Sequence, residues 1–246
     1  MTMNQLVRIS EFQELLAHYK LSDEAMQTLK DIRLVLLVGP SSSGRNTIIN
    51  ELVKSGLYYF VVSDTTRQPR VNNGILEENG REYWFRSEVD MLADLKEGRF
   101  LEAAIIHNQQ VSGISIRELK ASAEQQKIAI DEIEVVGADN IHALVPTAQF
   151  LFILPPSFDE WITRMNARGT LPADETQRRL ESAVTEITTA LDRDYYTFVV
   201  NDTFMRTAKQ VDAVIREHAV DREGQAEAKA VARQLLADTQ QFLTQL

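Results

Sequence analysis

The chain has 246 residues, 44% hydrophobic and 25% charged, with a formal net charge of −10 and no cysteine. That length suits one generous α/β domain with appendages. The acidic balance argues against coating nucleic acid, which needs lysine and arginine to neutralise phosphates. The missing cysteines exclude disulfides and thiolate metal sites, which is compatible with a cytoplasmic protein. No apolar run approaches the roughly 20 residues of a membrane span, and Met1 to Ser10 lacks a basic region followed by an apolar core, so neither a membrane segment nor a signal peptide is expected.

Residues 1–31 read as a helical preface. Ser10-x-x-Gln13 has the form of a capping box, and Phe12, Leu15, Leu16 and Tyr19 share one helical face. A second short helix follows Ser22, with Met26 and Leu29 expected inward. Residues 32–38 are a nearly unbroken apolar run, as suits a strand covered on both faces. A helix over 46–54 and a strand over 57–63 follow. The character then changes: residues 64–86 are polar, carry four arginines, and contain the turn-prone Asn72-Asn73-Gly74 and Asn79-Gly80. A short strand over 82–85, a helix over 87–96 and strands over 100–106 and 111–116 complete a small mixed insert at about 64–117.

The α/β alternation resumes with a helix over 117–126, a strand over 127–133 and a short helix over 140–144. The next strand, 150–154, is stopped by Pro155-Pro156. Ser157-x-x-Glu160 caps a helix to about residue 167. Gly169 and Pro172 break it, and Asp174-x-x-Gln177 opens a long helix to about 194. A strand over 198–200 and a helix over 205–218 follow. Strands alternating with helices predict a parallel sheet with helices on both faces. Residues 219–246 form a helical tail, in which Val231, Leu235, Phe242 and Leu246 recur at helical spacing; it reads as a packed or dimerising helix.

Four groups of residues could carry chemistry. Gly39-Pro40-Ser41-Ser42-Ser43-Gly44-Arg45-Asn46-Thr47 lies between a strand and a helix, and its glycines have the G-x4-G spacing of a phosphate-binding loop. Lysine and Ser/Thr should follow the second glycine. Arg45 keeps the positive charge in a bulkier, planar form, and Asn46 offers an amide oxygen as a weaker metal ligand. Ser42 adds a Cβ in mid-loop. Second, Ser63-Asp-Thr-Thr-Arg67-Gln-Pro-Arg70, with Tyr83 downstream, could hold a phosphate by charge-assisted bonds; the alternative is a solvated arginine loop. Third, Glu77, Glu102, Glu132 and Glu134 are acids, two of them in strand patterns where a carboxylate needs a partner. Fourth, Arg164 and Arg168, then Arg178 and Arg179 beyond a Gly/Pro break, could close over transferring phosphates; otherwise they pair with the many acids.

The order of these landmarks resembles the guanylate kinase family: Gly39-Pro-Ser…Gly44, then Thr65-Thr66-Arg67…Pro69-Arg70, Gly80…Tyr83…Phe85, Phe100-Leu-Glu102, Leu154-Pro-Pro-Ser157, Arg164…Arg168-Gly169, Arg179-Leu180 and Val199-Val-Asn201-Asp202. The resemblance covers about residues 32–218. It implies a P-loop NTPase-type sheet, a GMP-binding insert at 64–117 and a helical lid at 164–179. It also implies transfer of the ATP γ-phosphate to GMP, with Mg2+ as cofactor. Residue by residue, it implies Gly39 to Thr47 and Asn201 at ATP and Arg45, Arg164, Arg168 and Arg179 on the transferring phosphates. At GMP it implies Ser63, Arg67, Arg70, Glu77, Tyr83, Glu102 and Glu132, with Glu102 and Glu132 at the guanine. Val111 to Ile114 departs from the family's Tyr-Gly-Thr/Ser. The alternative function is a weakly active or inactive module that binds nucleotide, phosphopeptide or a protein through the same groove; a shifted acceptor nucleotide is a third.

Overall fold

The computed structural model describes residues 6–72, 74–106, 108–167 and 171–245. The chain divides into two compact units, 1–33 with 59–129, and 34–58 with 130–246. Two of the three divisions fall inside strands, β2 (Tyr58–Phe60) and β9 (Ile128–Glu132).

The unit built on 34–58 and 130–246 contains β1 (Leu34–Val38), β10 (Gln149–Leu154) and β11 (Tyr196–Val200). They belong to a five-stranded sheet of order β11-β10-β1-β9-β2. β1 pairs in parallel with β10, and β10 in parallel with β11. All five β1 residues are buried, so the strand is covered on both faces, as its unbroken apolar run predicts. The helices are α3 (Arg45–Lys54), α6 (Val135–Leu144), α7 (Phe158–Asn166), α8 (Ala173–Leu191), α9 (Phe204–Glu217) and α10 (Arg222–Leu243). α3 packs on α9, and α10 packs on α8, α7 and the edge strand β11. The Gln225 side chain both donates to the Phe198 carbonyl and accepts from its N–H, each at 2.9 Å. It thereby occupies backbone groups that the edge of a sheet would otherwise leave open.

The other unit holds α1 (Ile9–Ala17), α2 (Asp23–Leu29), β3 (Asp64–Thr65), β4 (Val71–Asn72), β5 (Ile75–Leu76), β6 (Trp84–Phe85), α4 (Glu88–Lys96), β7 (Phe100–Ile106), β8 (Gln110–Ser115) and α5 (Ile116–Glu124). Its sheet order is β6-β3-β8-β7, with β4-β5 a separate two-stranded hairpin. The N-terminal helices are part of this core. Phe12 is fully buried against Met91, Leu92, Leu95 and Phe100. The Tyr19 hydroxyl donates to the Phe100 carbonyl at 2.6 Å and accepts from its N–H at 2.7 Å.

Several local expectations are corrected. α1 starts after Arg8, not at Ser10, and the Glu88 carboxylate of α4 accepts from the N–H groups of Val7 and Arg8. A distant acid has replaced the capping box. Ser22 does cap α2, accepting from the Ala25 N–H, but Ala25 is buried while Met26 is 40% exposed. The strand expected over 57–63 shortens to Tyr58–Phe60. α6 begins at Val135, five residues before the expected Asn140. α8 begins behind Pro172, whose fixed φ suits a helix start, with no side-chain cap from Asp174.

Candidate active site

β1 delivers the chain into the loop at Gly39, whose φ is +139°. A Cβ there would stand 2.3 Å from the Ile153 carbonyl oxygen of β10, so only glycine lets loop and strand approach this closely. Gly44, at φ +99°, is the left-handed N-cap of α3; a Cβ on it would meet the Asn201 amide at 2.2 Å. Ser42 also sits in the left-handed region, at φ +66°. The loop therefore wraps ahead of a helix N-terminus, where backbone N–H groups and the helix dipole favour an anion.

Two side chains pin the loop through its carbonyls. The Asn201 amide donates to the Ser43 carbonyl at 2.8 Å. The Trp161 indole N–H of α7 donates to the Ser41 carbonyl at 2.7 Å. Asn201 is itself fixed at the end of β11, its N–H bonded to the Leu154 carbonyl at 2.7 Å. The Asn201 Oδ1 and the Ser43 Oγ are buried with no hydrogen-bond partner among the described residues. Such an atom costs about 1–3 kcal/mol while it stays unbonded.

A cavity of about 770 Å³ opens on this loop, within the usual range of a small-molecule site. Ser41, Ser42, Gly44, Arg45, Asn46 and Thr47 line one part of it; Arg164, Arg179, Asn201, Phe204 and Glu132 line others. Three basic side chains thus converge from three helices, α3, α7 and α8. Each is held by protein oxygens. Arg45 lies 3.4 Å from the Glu132 carboxylate and 3.5 Å from the Ile133 carbonyl. Arg164 donates to the Asn201 carbonyl at 2.9 Å and to Glu160 at 2.9 Å. Arg179 donates to Glu175 at 2.8 Å and reaches the Ser41 hydroxyl at 3.5 Å. Arg178 turns to Asp174 and Glu175 and is 66% exposed, away from the cavity lining. Arg168 lies outside the described residues.

Glu132 is drawn to the loop. In the orientation that gives each amide atom a complementary neighbour, the Asn46 nitrogen donates to both Glu132 oxygens, at 3.2 and 3.0 Å. Nearby on α8, Glu186 has its pKa pushed up to about 7, chiefly by burial and further by the Glu134 carboxylate, against the opposing pull of Arg45.

Arg67, Arg70, Glu77 and Tyr83 form a second cluster, in the other unit. Arg67 makes a two-pronged ion pair with buried Glu77, one contact at 2.9 Å, and the same carboxylate accepts from the Arg70 N–H at 2.9 Å. The Arg67 guanidinium lies 4.6 Å from the centre of the Tyr83 ring. Ser63 sits at the entry to β3, where its carbonyl accepts from Trp84 N–H at 2.9 Å. Glu102 is half-buried on β7 at an irregularity in its pairing with β8. Ser112 on β8 donates its hydroxyl to Thr65 at 2.9 Å.

The guanylate kinase family model matches residues 31–218. The chain belongs to the guanylate kinase family. A guanylate kinase of Corynebacterium efficiens is 34% identical over 186 residues, covering 74% of this chain and 94% of that relative. One from Nocardia farcinica is 35% identical over 182 residues, covering 73% and 91%. The crystal structure of guanylate kinase from Anaplasma phagocytophilum aligns with a TM-score of 0.56 at 22% identity, covering 78% of this chain and 88% of that one, a likeness of fold. The family match stops at residue 218, before α10.

Trp161 and Glu186 escaped the sequence reading. A tryptophan inside an amphipathic helix reads as core; its need for an acceptor was the one available signal. Glu186 had none, because its neighbours lie on other elements.

Proposed function

We propose that this protein transfers the γ-phosphate of ATP to GMP, giving ADP and GDP. The observation that carries the reading is the convergence of Arg45, Arg164 and Arg179 on one cavity beside the glycine-bounded loop. In-line phosphoryl transfer depends on positioning and charge stabilisation rather than covalent work by the protein. In this reading the N–H groups of Gly39 to Thr47 cradle the ATP phosphates, with Asn201 bracing the loop. A GMP phosphate oxygen attacks the γ-phosphorus, and the bond to the β,γ-bridging oxygen breaks. Arg45, Arg164, Arg168 and Arg179 stabilise the charge on the transferring group, which requires Arg45, Arg164 and Arg179 each to exchange a protein oxygen for a phosphate oxygen. Segment 164–179 then acts as the lid and 64–117 as the GMP-binding insert.

At the acceptor, Arg67, Arg70, Tyr83 and Ser63 bind the GMP phosphate, with Glu77 holding Arg67 in orientation. Glu102 accepts from the guanine, whereas Glu132, drawn to the loop by Arg45 and Asn46, serves a metal ion instead of the guanine contact expected from the sequence. The residues present fit a magnesium ion. Mg2+ takes hard oxygen donors, uses one or two carboxylates plus phosphates and keeps several waters. Glu132 and the Asn46 amide oxygen are such donors at the loop. Bound there with ATP, the ion would neutralise charge on the β- and γ-phosphates. No helix among the described residues is long and apolar enough to cross a membrane, and a cytoplasmic site of action belongs to the same reading. The apolar residues of α10 pack on its own unit, which favours a packing role over a dimer contact.

The test is product analysis. Purified protein with ATP, Mg2+ and GMP should form GDP and ADP in equal amounts, with dGMP, AMP, UMP and CMP as competing acceptors. No diphosphate from any acceptor would overturn the assignment.

A further inference from the structure

We propose that Trp161 is a positioning residue for the phosphate loop, and that the C-terminal helix α10 holds it in place. The inference rests on the nucleotide-binding reading of the loop.

Ser42 occupies a left-handed backbone conformation, φ +66°, without being glycine. Such a residue carries strain of order 1–3 kcal/mol and persists only where its surroundings over-determine it. The surroundings here are specific. The carbonyl just before Ser42, on Ser41, accepts from the Trp161 indole at 2.7 Å. The peptide just after it is held by its Ser43 N–H, which donates to the Pro40 carbonyl at 3.0 Å, and the next carbonyl, on Ser43, accepts from the Asn201 amide at 2.8 Å. Ser42 is thus clamped between two anchored peptide groups. Peptides are planar and trans. Fixing the Ser41 carbonyl therefore fixes the Ser42 N–H in the opposite direction, away from Trp161. That N–H is one of the loop donors a phosphate would use.

Trp161 is fully buried, so its indole N–H needs an internal acceptor, and its position is set by what packs around it. Met165, Leu180 and Ala183 are its buried neighbours, with Phe242 and Leu243 packed against the same cluster. Phe242 meets Phe158 at a ring separation of 5.4 Å, and Phe158 meets Trp161 edge-on at 6.2 Å. Phe242 and Leu243 lie on α10, beyond residue 218 where the family match ends. This chain's own tail therefore completes the apolar socket of a side chain that fixes the loop.

The chain has two tryptophans, so the wild-type protein labelled with 15N gives two indole N–H resonances, assigned through Trp84→Phe. On adding ATP without GMP, the Trp161 resonance should move. Trp161→Phe keeps a ring and removes the donor; its KM for ATP should rise about fivefold to tenfold, as for one lost hydrogen bond, while KM for GMP stays unchanged. Phe242→Ala should raise KM for ATP in the same selective way by about twofold. A merely structural role would lower Tm without that split between substrates. An unmoved Trp161 resonance at saturating ATP overturns the proposal. So does a Trp161→Phe or Phe242→Ala protein that handles ATP like wild type. Should Trp161→Phe fail to fold, the resonance and Phe242→Ala decide. If calorimetry finds no ATP binding to the wild-type chain, the nucleotide reading itself is refuted and this inference falls with it.

Discussion

Replacing Glu132 with glutamine should tighten the binding of metal-free ATP. Arg45 pairs with Glu132 at 3.4 Å, and Asn46 donates to the same carboxylate. To take up phosphate, Arg45 must give up that pair. A unit pair at 3.4 Å is worth about 1.2 kcal/mol in bulk water and about 5 kcal/mol at an effective dielectric of 20. The two side chains are 19% and 36% exposed, so the upper figure does not apply; measured pairs of this kind give about 0.2–1 kcal/mol. Glu132→Gln keeps the shape and removes the charge. Calorimetry in EDTA should show ATP affinity rising about twofold to fivefold, with the gain shrinking at high salt, as expected for a partly exposed pair. With Mg2+ restored the gain should fall or reverse, because the same carboxylate is proposed at the ion. Unchanged or weaker ATP binding in EDTA would refute the view that Glu132 competes with phosphate for Arg45.

Three further variants probe the site. Arg179→Ala should lower kcat about 100-fold or more, the usual effect of removing one charge-stabilising donor, whereas Arg178→Ala, on a side chain outside the cavity lining, should keep turnover within about twofold; equal losses would remove the distinction between them. Ser42→Gly should relieve left-handed strain and raise Tm by about 2–4 °C, equivalent to about 1 kcal/mol in a chain of this size, while weakening ATP binding by loosening the loop; a lower Tm would show that the serine side chain stabilises the turn. Glu186→Gln should raise Tm at pH 8 and much less at pH 5. The folded state keeps the Glu186 proton to about pH 7, while the unfolded chain loses it near the ordinary 4.5. Stability therefore falls as pH rises across that window. A Tm difference independent of pH would contradict the burial of that carboxyl.

What the sequence disclosed follows the range of the interactions involved. The loop was legible because its glycine spacing, its strand and its helix are contiguous from residue 34 to residue 54. Ser157 was legible as a cap because it bonds the N–H three residues on. Ser10 misled, because α1 is capped by Glu88, about 80 residues away. Met26 misled because so short a helix lets Ala25 and Leu29 alone face inward. In the insert, strands of two residues leave no period to read, and only the turns announced them. The candidate site divides in the same way. Arginines in family order pointed to Arg164 and Arg179, but their protein partners, Asn201, Glu175 and Ser41, come from packing. The capture of Glu132 by Arg45 and Asn46 was equally hidden, since β9 meets α3 only in the folded chain.

The central claim is phosphoryl transfer from ATP to GMP by a loop that carries arginine and asparagine in place of lysine and serine. The most direct measurement is GDP formation with ATP, Mg2+ and GMP, run beside Arg67→Ala, which removes the guanidinium held by Glu77 and Tyr83. The account expects steady turnover by the wild-type protein and a rate at least about 100-fold lower in the variant, chiefly through KM for GMP. Wild-type turnover no higher than that of Arg67→Ala, in protein that still binds GMP, would contradict it.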